Sequence, residues 1–205
     1  MEAYAVTDQM WEDFKTDTSS PCTLPNTGAL TCSFYTGCAE KNIPCGSSGY
    51  FKDYGLKYCQ KFSAHTYETS YATSWRDETL KCLQSELESS IMAAKPASCA
   101  AIASEAFDQH VTCYTQEQAS ICNICEHSFS DLMKIPLTLD MEEYGDPRSY
   151  KQMWGVLKTC VPAVTTSQAS NCAANLAKAS YQLVGEAGLE FVEYLHDEMA
   201  ATMAY

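Results

Sequence analysis

Positive charge is scarce in this chain of 205 residues: 13 lysines and arginines face 26 aspartates and glutamates, a formal net charge of -13. An acidic surface repels phosphodiester backbones and anionic lipid head groups, so nucleic acid and membrane surfaces are poor partners. Cationic proteins or metal ions suit it better. Long apolar runs are missing too, and no stretch approaches the roughly 20 residues of a membrane-spanning helix. The opening Met1-Glu-Ala-Tyr-Ala-Val6 lacks the basic start and apolar middle of a signal peptide. The expectation is a mature form whose leader has been removed, with Met1 a candidate for an added start residue. Asn26, Asn42, Asn123, Asn171 and Asn175 all fail the Asn-x-Ser/Thr pattern, so no N-linked glycan is expected. There is no internal repeat and no alternation of the kind that marks strands.

Against these absences stands cysteine. The chain has 12, ten of them between Cys22 and Cys125. Among reducing thiols such a chain would be an oxidation hazard; in an oxidising compartment the same residues form a disulfide framework. The expected location is therefore secreted or extracellular. The count is even, so all can pair within one chain. With 46% hydrophobic residues a sizeable core is available, and the length suits one domain or one domain with an appendage.

The chain reads as three consecutive segments. Residues 1–49 are loop-like, with Pro21, Pro25 and Pro44 and the irregularly spaced Cys22, Cys32, Cys38 and Cys45, and only cross-links would order them. Residues 50–165 form a helical cysteine-rich core. Tyr54, Tyr58, Phe62 and His65 recur at helical spacing. After a break near 69–74, Ser74 with Asp77 reads as a capping box, and Leu80, Leu83, Leu87 and Ile91 mark an amphipathic helix. Lys95-Pro96 stops it. Ser98 then caps a helix whose face carries Cys99, Ile102, Ala106, His110 and Cys113. The stretch 131–146 is mixed and acidic, and a helix runs from Pro147 to about Thr159. Residues 166–205 form one or two further helices, broken near Gly185 or Gly188, with Leu189, Val192, Leu195 and Met199 as an apolar stripe. The fold class is all-α.

One cross-link follows from this hairpin alone. Cys82 lies about 15 residues before the turn at Pro96-Ala97 and Cys113 about 16 after it. At about 1.5 Å per residue, the two stand level across antiparallel helices. A Cys82–Cys113 bond would clamp the hairpin.

Three constellations invite a chemical reading. His110-Val-Thr-Cys-Tyr114 resembles the His-Asp-x-Cys-Tyr helix of secreted phospholipases A2, but Val111 occupies the position of the calcium-holding aspartate and no glycine-rich calcium loop precedes it. A structural His110 is the better reading. Cys122-x-x-Cys125 could be a redox pair or half a zinc knuckle. No strand precedes it and His127 alone is too near to complete a tetrahedron, so structural disulfides are favoured. Asp131, Asp140, Glu142, Glu143 and Asp146 could hold calcium, but their spacing fits no EF-hand loop; a solvated acidic loop is expected instead. No catalytic residue, metal site or cofactor is expected.

The cysteine ladder itself resembles a known family. Cys38-Ala-Glu-Lys-Asn-Ile-Pro-Cys45, Gly49-Tyr-Phe-Lys-Asp-Tyr-Gly-Leu-Lys-Tyr-Cys59-Gln-Lys-Phe62, Asp77-Glu-Thr-Leu-Lys-Cys82, Cys99 and Cys113-Tyr114 are similar to the pattern of the stanniocalcins, secreted disulfide-rich helical glycoprotein hormones. The last step, Cys125 to Cys160, also fits. The resemblance covers about Cys22 to Cys160. It implies the bonds Cys22–Cys38, Cys32–Cys59, Cys45–Cys99 and Cys82–Cys113, and Cys160 with one of Cys122 or Cys125. The family's usual sequon before the fourth cysteine is missing here, as are its basic stretches, which argues against heparin-like ligands. Its odd intersubunit cysteine has no clear counterpart. Cys172 can close a sixth bond with whichever of Cys122 and Cys125 is left over, and a non-covalent homodimer through the C-terminal apolar stripe stays open.

The resemblance implies a non-enzymatic secreted regulator that binds a protein partner, a receptor or an extracellular protease, and influences calcium or phosphate handling. The alternative is an acidic extracellular calcium-binding or structural scaffold of a larger assembly. A third reading is a lipid-cleaving enzyme at His110.

Overall fold

In a computed structural model of the chain, residues 5–19, 22, 32–140, 142–143 and 146–163 are described, apart from the side chains of 90–92, 125–126, 150, 154, 157 and 161–163. Every regular element among them is helical, and the one extended pairing is an isolated bridge between Ala5 and Ser98. The all-α expectation holds. No helix among the described residues is long and apolar enough to cross a membrane. The chain divides into two compact units, Met1–Thr66 with Ser74–Cys113, and Tyr67–Thr73 with Tyr114–Tyr205.

The first unit opens with a helix where the sequence reads as loop. Helix α1, Asp8–Thr16, starts at Thr7, whose hydroxyl accepts from the Met10 N–H. Trp11 and Phe14, three residues apart, share its buried face. The Trp11 indole donates to the Pro96 carbonyl at 3.3 Å, the Val6 N–H to the Ala97 carbonyl at 2.9 Å, and Lys95 pairs with Glu12. The start of the chain thus docks on the turn of the predicted hairpin. The proline and cysteine density of 1–49 hides this short amphipathic pattern.

Two π-helical segments follow, Tyr35–Ala39 and Phe51–Leu56. The first runs into α2, Glu40–Asn42, and the second into α3, Lys57–Ala64. The segments pack on each other where Gly55 meets Tyr35: a Cβ at Gly55 would stand 2.5 Å from the Tyr35 ring. The predicted helical face of Tyr54, Tyr58 and Phe62 is buried, and His65 lies just past the end of α3 with extended backbone.

Helix α4, Ser70–Glu86, is prolonged by a π-helical turn, Leu87–Ile91, and by α5, Met92–Ala94. Lys95 ends the run in the left-handed region (φ 45°), a conformation that satisfies the last carbonyls of a helix. Helix α6, Cys99–Tyr114, is capped by Ser98, whose hydroxyl accepts from Ala101. Cys99, Ile102, Ala106, His110 and Cys113 are all buried, on the face expected.

The start of α4 differs from expectation. Ser74 lies inside the helix, and the cap is Thr69, whose hydroxyl accepts from the Ala72 N–H at 3.2 Å. Thr69 is held from a distance by Asp131, which a local reading cannot see.

The second unit contains α7, Ile121–His127, α8, Phe129–Thr138, and α9, Pro147–Ala163. Ser120 caps α7 and Ser128 caps α8 through their hydroxyls. The acidic stretch 131–146 is therefore helical up to Thr138, with Leu132, Ile135 and Thr138 buried. Helix α9 runs past the expected end near Thr159 and carries Cys160. The helices expected over 166–205, and the stripe Leu189, Val192, Leu195 and Met199 that would support a dimer, lie outside the described residues.

Candidate functional site

Cystine is the dominant chemistry of the molecule. The structure joins Cys22–Cys38, Cys32–Cys59, Cys45–Cys99 and Cys82–Cys113 in the first unit and Cys122–Cys160 in the second. Their Cα–Cα distances, 5.0 to 5.7 Å, sit in the usual range. The choice left open between Cys122 and Cys125 falls on Cys122, so Cys122-x-x-Cys125 is not a redox pair closed on itself. The side chain of Cys125 and all of Cys172 lie outside the described residues.

Each bond sits where helical geometry brings distant segments together. Cys82–Cys113 clamps α4 to α6 across the hairpin. Cys45–Cys99 ties the turn after α2 to the start of α6, and the same turn is fixed by Glu40. The buried carboxylate of Glu40 accepts from the Cys45 and Gly46 N–H groups at 3.2 and 2.8 Å and pairs with Lys52 at 3.0 Å. Gly46, at φ 82°, supplies the left-handed backbone this turn requires. Near Cys22–Cys38, Asp17 is ringed by Lys41, Asn42 and the Ser19 N–H, and the Lys41 hydrogen bond leads in holding its carboxyl far below the usual range. Asp17, Cys22 and Cys38 lie within 4.8 Å of one another. The two sulfurs are bonded to each other, so they are not thiolates that could bind a metal.

His110 is enclosed rather than presented. It is 1% exposed, its Nε2 stands 3.1 Å from the Tyr50 hydroxyl, and the rings of Tyr50, Tyr54 and Phe107 surround it. A general base needs hydrogen-bond reach to a substrate proton. This imidazole instead gives a polar centre to an aromatic cluster, which argues against the lipase-like reading.

The acidic stretch of the second unit is likewise occupied by the protein's own donors. Asp131, with a fully buried side chain, accepts from the Glu68 N–H at 2.8 Å, from the Thr69 N–H and hydroxyl at 2.9 Å, and from Lys134 at 3.0 Å. Burial alone would push its carboxyl up, but these four donors together hold it below the ordinary value. Lys134 is raised in turn, chiefly by its hydrogen bond to Asp131. Glu68 receives the hydroxyls of Ser128 and Ser130. Asp146 is gripped by Arg148, which lowers its carboxyl. Among the described residues, no three carboxylates of Asp131, Asp140, Glu142, Glu143 and Asp146 converge at ligand distance. Beyond them, burial pushes the Tyr114 phenol up to about 12, against an opposing hydrogen bond with Gln152. His127, in the last turn of α7, stacks on Tyr71 with ring centroids 4.2 Å apart.

Several residues that organise these sites carry no local sequence signal. Glu40, Glu68 and Thr69 act through partners remote in the chain or outside their own helix. Gln84 is different: it lies four residues after Leu80 and three before Leu87, on the buried face of α4, so its burial was legible from the register.

No protein-family model, curated protein or solved structure matches this chain. A functional reading therefore rests on the cystine framework and on what its surroundings can do.

Proposed function

We propose that the chain is a secreted, non-enzymatic regulator of the stanniocalcin type that acts by binding a protein partner, a receptor or an extracellular protease, and so influences calcium or phosphate handling. The observation that carries this reading is the ladder of cystines: four bonds of the first unit join the cysteines that the family resemblance pairs, in the same order. Cross-links of this density suit an oxidising compartment. They also pre-organise a recognition surface, which lowers the ordering cost of binding. The enclosure of His110 and the self-satisfied Asp131 leave these two groups to structural roles.

The test uses the oxidised full-length protein and the same protein reduced and alkylated, each applied to an epithelial monolayer. The oxidised form should change transepithelial calcium or phosphate flux and the alkylated form should not. Unchanged flux of both ions with the oxidised protein overturns the proposal.

A further inference from the structure

The bond Cys32–Cys59 combines a half-buried sulfur with a hydrogen-bond donor at each of its two sulfurs. Cys59 is 1% exposed, whereas Cys32 is only half-buried. Each sulfur faces a donor. The exposed Ser63 hydroxyl stands 3.7 Å from Cys32 Sγ, and the Gln84 side-chain amide donates to Cys59 Sγ at 3.8 Å. A cystine sulfur can only accept, so the Ser63 O–H is the donor. Gln84 is wholly buried, and its Oε1 has no hydrogen-bond partner among the described residues. An orphaned buried acceptor is destabilising and rare enough to need an explanation.

Reduction of this bond supplies one. Within the disulfide, Cys59 offers Gln84 no hydrogen to accept. As a thiolate it accepts the amide N–H more strongly, because charge-assisted hydrogen bonds are the stronger kind. Once protonated, its S–H can donate to Oε1 after a half-turn of the amide. Bond cleavage thus gives the Gln84 amide N–H a stronger acceptor in the thiolate and gives Oε1 a donor in the thiol.

We propose that Cys32–Cys59 is a thiol-exchange site, at which a low-molecular-weight thiol such as glutathione attaches to Cys32. The thiolate RS⁻ attacks the accessible Cys32 Sγ. The RS–Cys32 bond forms as the Cys32–Cys59 bond breaks, and the electron pair leaves on Cys59 Sγ, which then takes a proton from water. Attack by a second thiolate on the mixed disulfide releases RSSR and leaves Cys32 as a thiolate. The cystine is reduced by two electrons and two thiols are oxidised to one disulfide. Opening this bond unties Cys32 from α3, while Cys22–Cys38 keeps its hold on the Tyr35–Ala39 segment.

The other bonds provide the internal control. Both cysteines are buried in Cys22–Cys38, Cys45–Cys99 and Cys122–Cys160. Cys82–Cys113 pairs a half-buried with a buried cysteine and is the nearest competitor.

The experiment blocks any pre-existing thiol of the full-length oxidised protein with N-ethylmaleimide. Graded glutathione follows, then an acid quench, iodoacetamide labelling and peptide mapping by mass spectrometry. The first product should carry glutathione on Cys32 and the iodoacetamide label on Cys59, with the other four bonds intact. Gln84→Met should slow this opening by about threefold relative to Cys82–Cys113 in the same sample, the loss of one modest hydrogen bond to the leaving sulfur, and Ser63→Ala should slow by a similar factor the second step, in which Cys32 Sγ is the leaving group. If Gln84→Met does not fold, the rate at which glutathione is released from Cys32 in the exposed Ser63→Ala variant carries the comparison. Earlier opening of any other bond, glutathione on Cys59, or unchanged rates in the folded variants would overturn the proposal.

Discussion

Thr69 gives Asp131 both its backbone N–H and its hydroxyl, each 2.9 Å from the same carboxylate oxygen. The two residues are 62 apart in sequence, yet this contact sets where α4 begins. It aligns Thr69 so that its own oxygen can cap the Ala72 N–H.

Asp131→Asn keeps the shape but turns an NH2 group toward some of these donors. The loss should be about 2–4 kcal/mol, the range for disrupting a buried, charge-assisted network. The carboxyl is held below its ordinary value of 3.8, so the folded state binds its proton less readily than the unfolded chain. Its contribution is complete above that value and is lost as pH falls through the lower folded value. Urea titrations of wild type and variant at neutral pH and near pH 3 should show the gap between them shrinking in acid.

Gly55→Ala tests the seam between the two π-helical segments. Alanine normally gains about 0.5–1 kcal/mol over glycine in a helix. Here its Cβ would meet the Tyr35 ring at 2.5 Å, and overpacking costs about 1–3 kcal/mol. The steric cost wins, so the denaturation midpoint should fall. A rise would mean that Tyr35 moves freely.

The double variant Cys82→Ala/Cys113→Ala removes a bond that spans 31 residues. The chain-entropy model assigns such a loop about 3–4 kcal/mol. Chemical denaturation under non-reducing conditions should show a loss of that order, with the helical circular-dichroism signal of the native state retained.

His110 and Tyr50 should behave as a coupled pair. His110→Phe removes a partner from a buried hydroxyl and should cost about 1–3 kcal/mol. Adding Tyr50→Phe should cost less than the sum of the two single changes, since each single change already removes the hydrogen bond that the two share. A thermodynamic cycle from four denaturation curves measures the difference. Strict additivity would mean that the 3.1 Å contact contributes nothing.

The hairpin was legible because its signals are local and mutually consistent: Leu80 and Leu87 at helical register, Pro96 at the stop, Ser98 at the cap. Helix α1 was not, because a nine-residue helix with only Trp11 and Phe14 buried is a faint pattern beside Pro21, Cys22 and Pro25. Helix α8 was obscured by reading Asp131 as part of a solvated acidic run, when it is fully buried and paired. The cap at Thr69 depends on a residue far along the chain, and no window of local sequence contains both. Of the cystines, only Cys82–Cys113 followed from helix geometry; the rest required long-range contacts or a family pattern to be paired.

Helix α4 has one further consequence. Its first residues, Ser70 to Thr73, belong to one compact unit and the remainder, from Ser74, to the other. Neither unit is therefore a portable module. A fragment stopped at Cys113 would keep the four cystines of the first unit but lose Asp131, and the opening turn of α4 should fray. Evolutionary shuffling or laboratory dissection of this protein would have to cut through a continuous helix, so the chain is expected to be inherited and to fold as a single piece.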